Sequence, residues 1–188
     1  MRITAVLFAL AAFTGTASAQ AADPKVLKAE QVAKLKPLAW MDGVWRGDAV
    51  TQTPSGEKRV TQTERIGPFL GGTVKVIEGR GYNPDGTVGF NAFGTVLYNP
   101  AASKYEFHAF SEGRAGVFKF EPTADGYIWE SPAGGPAIIR YTASLKDKVW
   151  TEIGEFVSPG APPRQFFKMS LRRIGDTKWP LETPVPQK

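Results

Sequence analysis

The chain has 188 residues, a formal charge of +5, one histidine and no cysteine. The missing cysteine excludes disulfides, a lipidated N-terminal cysteine, thiol catalysis and cysteine-ligated metals. The basic residues do not cluster: Lys25 to Lys36 and Arg164 to Arg173 read as solvated faces of a helix and a strand, so no nucleic-acid partner is expected.

In chain order, Arg2 precedes an apolar run from Ile3 to Phe13, and Ala17-Ser18-Ala19 stands just before Gln20. This is the order of a secretory signal peptide over residues 1–19, predicting cleavage near Ala19 and a periplasmic or secreted protein of charge about +4 once Arg2 is gone. The apolar run is too short to cross a bilayer, so no span is expected in the mature protein.

Residues 20–37 form an N-terminal segment in which Leu27, Val32, Leu35 and Leu38 follow a helical spacing from Pro24, with Pro37 as the stop. After Gly43, short runs rich in valine, threonine, isoleucine and aromatics alternate with turn signals such as Asn83-Pro84-Asp85-Gly86 and Pro159-Gly160. They predict about ten strands: Gly43 to Thr53, Glu57 to Ile66, Gly72 to Tyr82, Thr87 to Tyr98, Lys104 to Ser111, Arg114 to Pro122, Tyr127 to Ser131, Ala137 to Ser144, Val149 to Val157 and Arg164 to Ile174. There is no room for crossover helices, so the fold class is all-β, an antiparallel up-and-down sheet. Such a sheet removes its edges by closing; a barrel over residues 38–175 is expected, with a two-sheet sandwich as the other solution. Residues 176–188 are a Pro-rich tail that should lie along the surface or be mobile.

Alternation points Phe167, Met169 and Leu171 one way and Lys168, Ser170 and Arg172 the other; Phe118 and Phe120 flank Lys119 in the same manner. Trp150, Glu152 and Phe156 share a face. The run Phe90-Asn91-Ala92-Phe93 places apolar groups on both faces, as a strand packed under the helix on one side and lining an interior on the other would.

The stretch "LAWMDGVWRG", with Leu38, Gly43, Trp45 and Gly47, resembles the G-x-W entrance of the calycins, the superfamily of lipocalins, fatty-acid-binding proteins and nitrobindins. "GPFLGGTVKV", "GYNPDG" and "VLYNPAASKYEFHAFSEGRAG" are similar to bacterial lipocalin-like domains of unknown function related to nitrobindin. The resemblance runs from Leu38 to Ile174 and implies a calycin-like barrel behind a short N-terminal helix, holding small apolar molecules. It places Trp45 across one end, filling space that smaller side chains would leave void, or offering a stacking platform to a ligand. Trp40 reads as a lid or packing residue.

Few residues carry obvious chemistry. In nitrobindin-like barrels the haem ligand is a histidine near the end of the last strand, and "RQFFKMSLRRI" has none, so no cofactor is expected. His108 shares a face with Lys104 and Glu106, opposite Tyr105, Phe107 and Ala109, and should point to solvent or serve as a hydrogen-bonding group in a pocket. One histidine makes no zinc site, and no nucleophile elbow is present. Glu64, Glu78 and Glu152 could act as general acids or bases if buried, but read as exposed strand carboxylates. Arg140, with Tyr141 and Asn91 as further polar groups, resembles part of the carboxylate clamp of fatty-acid-binding proteins, though their Arg-x-Tyr pair on the last strand is absent and a surface arginine is the other reading.

The expectation is a binding protein and not an enzyme: a carrier of a small hydrophobic or amphipathic molecule, with a lumen lined by Phe93, Phe118, Phe120, Phe167 and Met169. A nitrobindin-like haem-binding barrel or other barrel enzyme and an envelope interaction module are the alternatives, haem being the one cofactor left open.

Overall fold

The computed structural model describes residues 23–180. The expected signal peptide and the end of the Pro-rich tail lie outside the described residues. Helix α1 spans Pro24–Leu35. Asp23 caps it by accepting from the Lys25 N–H at 2.8 Å, and Pro24 fits the first turn because no intrahelical partner is lost there. The helix stops three residues before the expected Leu38, and a tighter 3-10 turn, Lys36–Met41, drives Leu38 and Met41 inward.

All ten expected strands form: β1 Gly43–Thr53, β2 Gly56–Phe69, β3 Val74–Tyr82, β4 Val88–Asn99, β5 Lys104–Ser111, β6 Arg114–Pro122, β7 Gly126–Gly134, β8 Ala137–Lys146, β9 Val149–Val157 and β10 Arg164–Gly175. Each pairs antiparallel with its neighbour in sequence, and β1 pairs with β10, giving a closed barrel and not a sandwich. The closing seam is tight. A Cβ at Gly47 would stand 2.0 Å from the Ser170 carbonyl oxygen, so only glycine lets β1 approach β10 there.

Helix α1 and the 3-10 turn plug the end where β1 begins. Tyr105 donates its hydroxyl to the Lys34 carbonyl at 2.8 Å, and Gln31 donates to the Tyr98 carbonyl at 3.2 Å. Those contacts put the helix over the Tyr98 end of β4. The expectation that this run packs beneath the helix is therefore corrected: Phe90 to Phe93 occupy the far end of the strand, Phe90 and Ala92 on the inner face and Phe93 outward at 42% exposure, against Phe110. The described part of the tail lies on the surface, with the Arg65 guanidinium 4.7 Å from the Trp179 ring centre.

Trp40, Trp45 and Trp150 meet edge to face at centroid distances of 5.4–6.2 Å, with Leu38, Met41, Ile66, Val96 and Leu171 sealed around them. Edge-to-face contact sets the positive edge of one ring on the negative face of the next. The barrel is packed at the plugged end, and its inward side chains are only half-buried towards the other.

Candidate functional site

Residues paired across neighbouring antiparallel strands share a face, so the ladder fixes what enters the lumen. Trp45 pairs with Glu64, and Glu64 with Gly79. On the other side, Ala49 pairs with Met169, Met169 with Glu152, Glu152 with Ala143, and Ala143 with Tyr127. Both glutamates thus stand inside the barrel, just above the tryptophan floor. Glu64 is 9% exposed and Glu152 is 8% exposed, which overturns the reading of these two as exposed strand carboxylates.

Glu78 behaves differently. It lies on the outer face between Arg65 and Arg80; burial pushes its carboxyl up, but the two guanidinium groups outweigh that and hold it below its ordinary value.

Donors converge on the inner pair. The Gln62 amide donates to Glu64 Oε1 at 2.7 Å, and the Tyr127 hydroxyl donates to Glu152 Oε2. The Trp129 indole stands near Glu152 and favours its charged form. Burial pushes Glu64 up to about 8, the Gln62 bond opposing and the charge of Glu152 adding to the rise. Burial likewise pushes Glu152 up to about 7, against the bond from Tyr127 and the nearby Trp129 indole. Tyr127 is held well above its ordinary value by burial and by Glu152. Burial raises both carboxyls, so both favour keeping their protons as the pH approaches neutrality from below.

Above this floor the wall is asymmetric. From β5 to β10 it is aromatic: Phe107, Phe118, Trp129, Tyr141 and Phe167 all point inward, yet none is fully buried, so solvent reaches them from the open end. Trp129 and Tyr141 stack at 4.1 Å and 5°. The rings lie against glycines: a Cβ at Gly94 would stand 2.6 Å from the Phe107 ring, one at Gly116 2.5 Å from that of Phe118, and one at Gly154 2.8 Å from that of Tyr141. Missing side chains there let the rings lie back along the wall instead of crossing the lumen. Opposite, β1 to β4 contribute small groups, including Ala49, Thr51, Gly79, Gly81 and Ala92.

Six sequence-derived candidates face the lumen. Phe118, Tyr141 and Phe167 line its wall, whereas Trp45, Phe120 and Met169 are sealed in or near the floor. Four do not. Phe93 is outside, as described; Asn91 is exposed opposite Arg80; Arg140 donates to Glu130 at 2.8 Å on the outer face; His108 lies 3.1 Å from Glu106, also outside. With its only imidazole there, the lumen does not fit a histidine-ligated haem. Sequence reasoning left out Gln62, Tyr127 and Trp129 and undervalued Glu64 and Glu152. The signal was present: Glu64 alternates with Gln62 and Ile66, and Glu152 shares its face with Trp150.

No protein-family model matches the chain, and no curated protein matches it. Solved structures do: the crystal structure of Rv2717c from M. tuberculosis superposes with a TM-score of 0.56 at 12% identity, covering 75% of this chain and 97% of that one. The likeness is one of fold. A barrel of this kind is compatible with small-molecule binding. Among the described residues no helix is long and apolar enough to cross a membrane, and no group of three or more histidine, cysteine or acidic residues is placed to hold a metal.

Proposed function

We propose that the protein is an exported carrier whose barrel holds a small amphipathic molecule without transforming it. The polar head of that molecule meets Glu64, Gln62 and Glu152, and its apolar body lies along Phe118, Trp129, Tyr141 and Phe167.

The observation that carries this reading is the burial of two carboxyl groups at the floor of a lumen whose aromatic wall stays accessible. Burying an acid costs several kcal/mol of lost hydration, and well-packed apolar residues of similar size serve stability as well or better. Acids kept in such a place, beneath half-open aromatic surface, suit recognition more than packing. The calycin resemblance supports the same reading.

The test is to isolate the protein from its own envelope fraction, record its native mass and extract it with organic solvent. A stoichiometric small molecule released on unfolding is the expected result. A consistently empty protein, with no small molecule recovered, overturns the carrier.

A further inference from the structure

We propose that the ligand is an organic cation, an ammonium group on an aromatic or aliphatic body, whose N–H donors meet the carboxylates of Glu64 and Glu152. This rests on the carrier reading above and narrows it to a chemical class.

Three observations lead to it. First, among the described residues no protein cation is paired with either carboxylate: the inner-face cations Lys58, Arg114 and Arg164 are exposed at the open rim. Lys75, on β3, is occupied by Asp42 at the plugged end. Arg65 and Arg80 hold Glu78, and Arg140 holds Glu130, all on the outer face. The groups that face the pair are Tyr127 from β7 and Tyr141 from β8, neutral hydroxyls, while Glu78 adds only negative potential through β2.

Second, each carboxyl accepts a hydrogen bond that ionisation would strengthen. Gln62 and Tyr127 both donate inward. Behind them the indole N–H of Trp150, a residue 2% exposed, has no acceptor in hydrogen-bond geometry although it faces the Tyr127 hydroxyl. Third, the wall above offers π faces, to which a cation is attracted by the ring quadrupole.

A bound ammonium reverses what burial does to the acids. It stabilises their charged forms, so binding expels protons and strengthens as pH rises through the range in which the pair titrates.

The test uses three probes of one shape: naphthylmethylamine, naphthylmethanol and naphthoate, titrated calorimetrically into the ligand-free full-length protein. The amine should bind at least about tenfold more tightly than the alcohol, since hydrogen bonds to a charged group exceed neutral ones by that order. Naphthoate should not bind, and the amine's heat should depend on the buffer's ionisation enthalpy, as proton release requires. Glu64→Gln with Glu152→Gln should erase the amine's advantage and leave the alcohol unchanged; if the double variant fails to fold, the ranking of probes on the wild-type protein still decides. Equal binding of amine and alcohol overturns the cation and leaves the carrier standing. Tighter binding of naphthoate overturns it as well. No binding by any probe, together with an empty protein from the envelope, removes both.

Discussion

Trp45 donates its indole N–H to the carbonyl of Met41 at 2.8 Å, fastening the first strand to the turn that plugs the barrel. Trp150, 5.5 Å away by ring centres and equally buried, makes no such bond. The two tryptophans therefore separate packing from hydrogen bonding in one cluster. Trp45→Phe removes ring volume and also orphans a buried carbonyl, and should cost about 3 kcal/mol. Trp150→Phe removes similar volume but also deletes an unpaired donor, and should cost about 1 kcal/mol less. Urea unfolding followed by circular dichroism measures both. A larger loss for Trp150→Phe would mean that its N–H is already satisfied.

The glycines make a second contrast. At Gly47 an added Cβ meets backbone, the Ser170 oxygen at 2.0 Å, and backbone cannot step aside without opening the β1–β10 seam. Gly47→Ala should lose about 3 kcal/mol or more. At Gly116 the obstacle is the tip of the Phe118 ring at 2.5 Å, which can swing away. Gly116→Ala should cost about 1–2 kcal/mol, and its displaced ring should obstruct the lumen and weaken ligand retention. Thermal melts beside ligand titration check the pair; a Gly116→Ala protein binding as well as wild type would show that the flattened ring does not shape the site.

Outer-face residues provide the controls. The ion pair of Arg140 with Glu130 leaves the arginine 37% exposed, where solvent screens it. Arg140→Ala and His108→Ala should each change stability by less than about 1 kcal/mol and leave ligand content unaltered. A loss of bound molecule in either variant would move recognition out of the lumen.

Most of the architecture was legible in the chain because hairpin barrels are local. Each strand pairs with the next, so turn signals such as Asn83-Pro84-Asp85-Gly86 mark the elements and alternation within Phe167, Met169 and Leu171 gives the inner face. Closure was less direct, since β1 and β10 lie at opposite ends of the sequence. Phe93 was misplaced because an apolar residue on a strand reads as inward, and nothing local says that Ala92 and Gly94 flank it on the lumen side. The site itself was obscured for the converse reason. A glutamate in a strand reads as exposed, and what buries Glu64 and Glu152 is the indole floor assembled from Trp40, Trp45 and Trp150, residues far apart in sequence.

The buried acids also govern how stability follows pH. Glu64 and Glu152 have an ordinary value of 4.5 and are raised in the folded protein to about 8 and about 7. Between those values the folded state holds more protons than the unfolded chain, so raising the pH favours unfolding. Their contribution is fully present below the unfolded value and is lost as pH climbs through the folded ones. The wild-type protein should become less stable from about pH 5 to about pH 8, at up to roughly 1.4 kcal/mol per pH unit for each carboxyl. Glu78 and Glu106 are shifted the other way and act on the acid side, where protonating them removes stability as pH falls. The two effects together place the maximum in mildly acidic solution. Glu64→Gln keeps the shape and the hydrogen-bonding capacity of the side chain but cannot ionise, so it should flatten the neutral limb and leave the variant more stable than wild type at the alkaline end. Denaturant midpoints at four or five pH values give the answer. A wild-type curve that is level or rising across this window would mean that both carboxyls remain ionised in the folded barrel, and that something other than a missing cation compensates them.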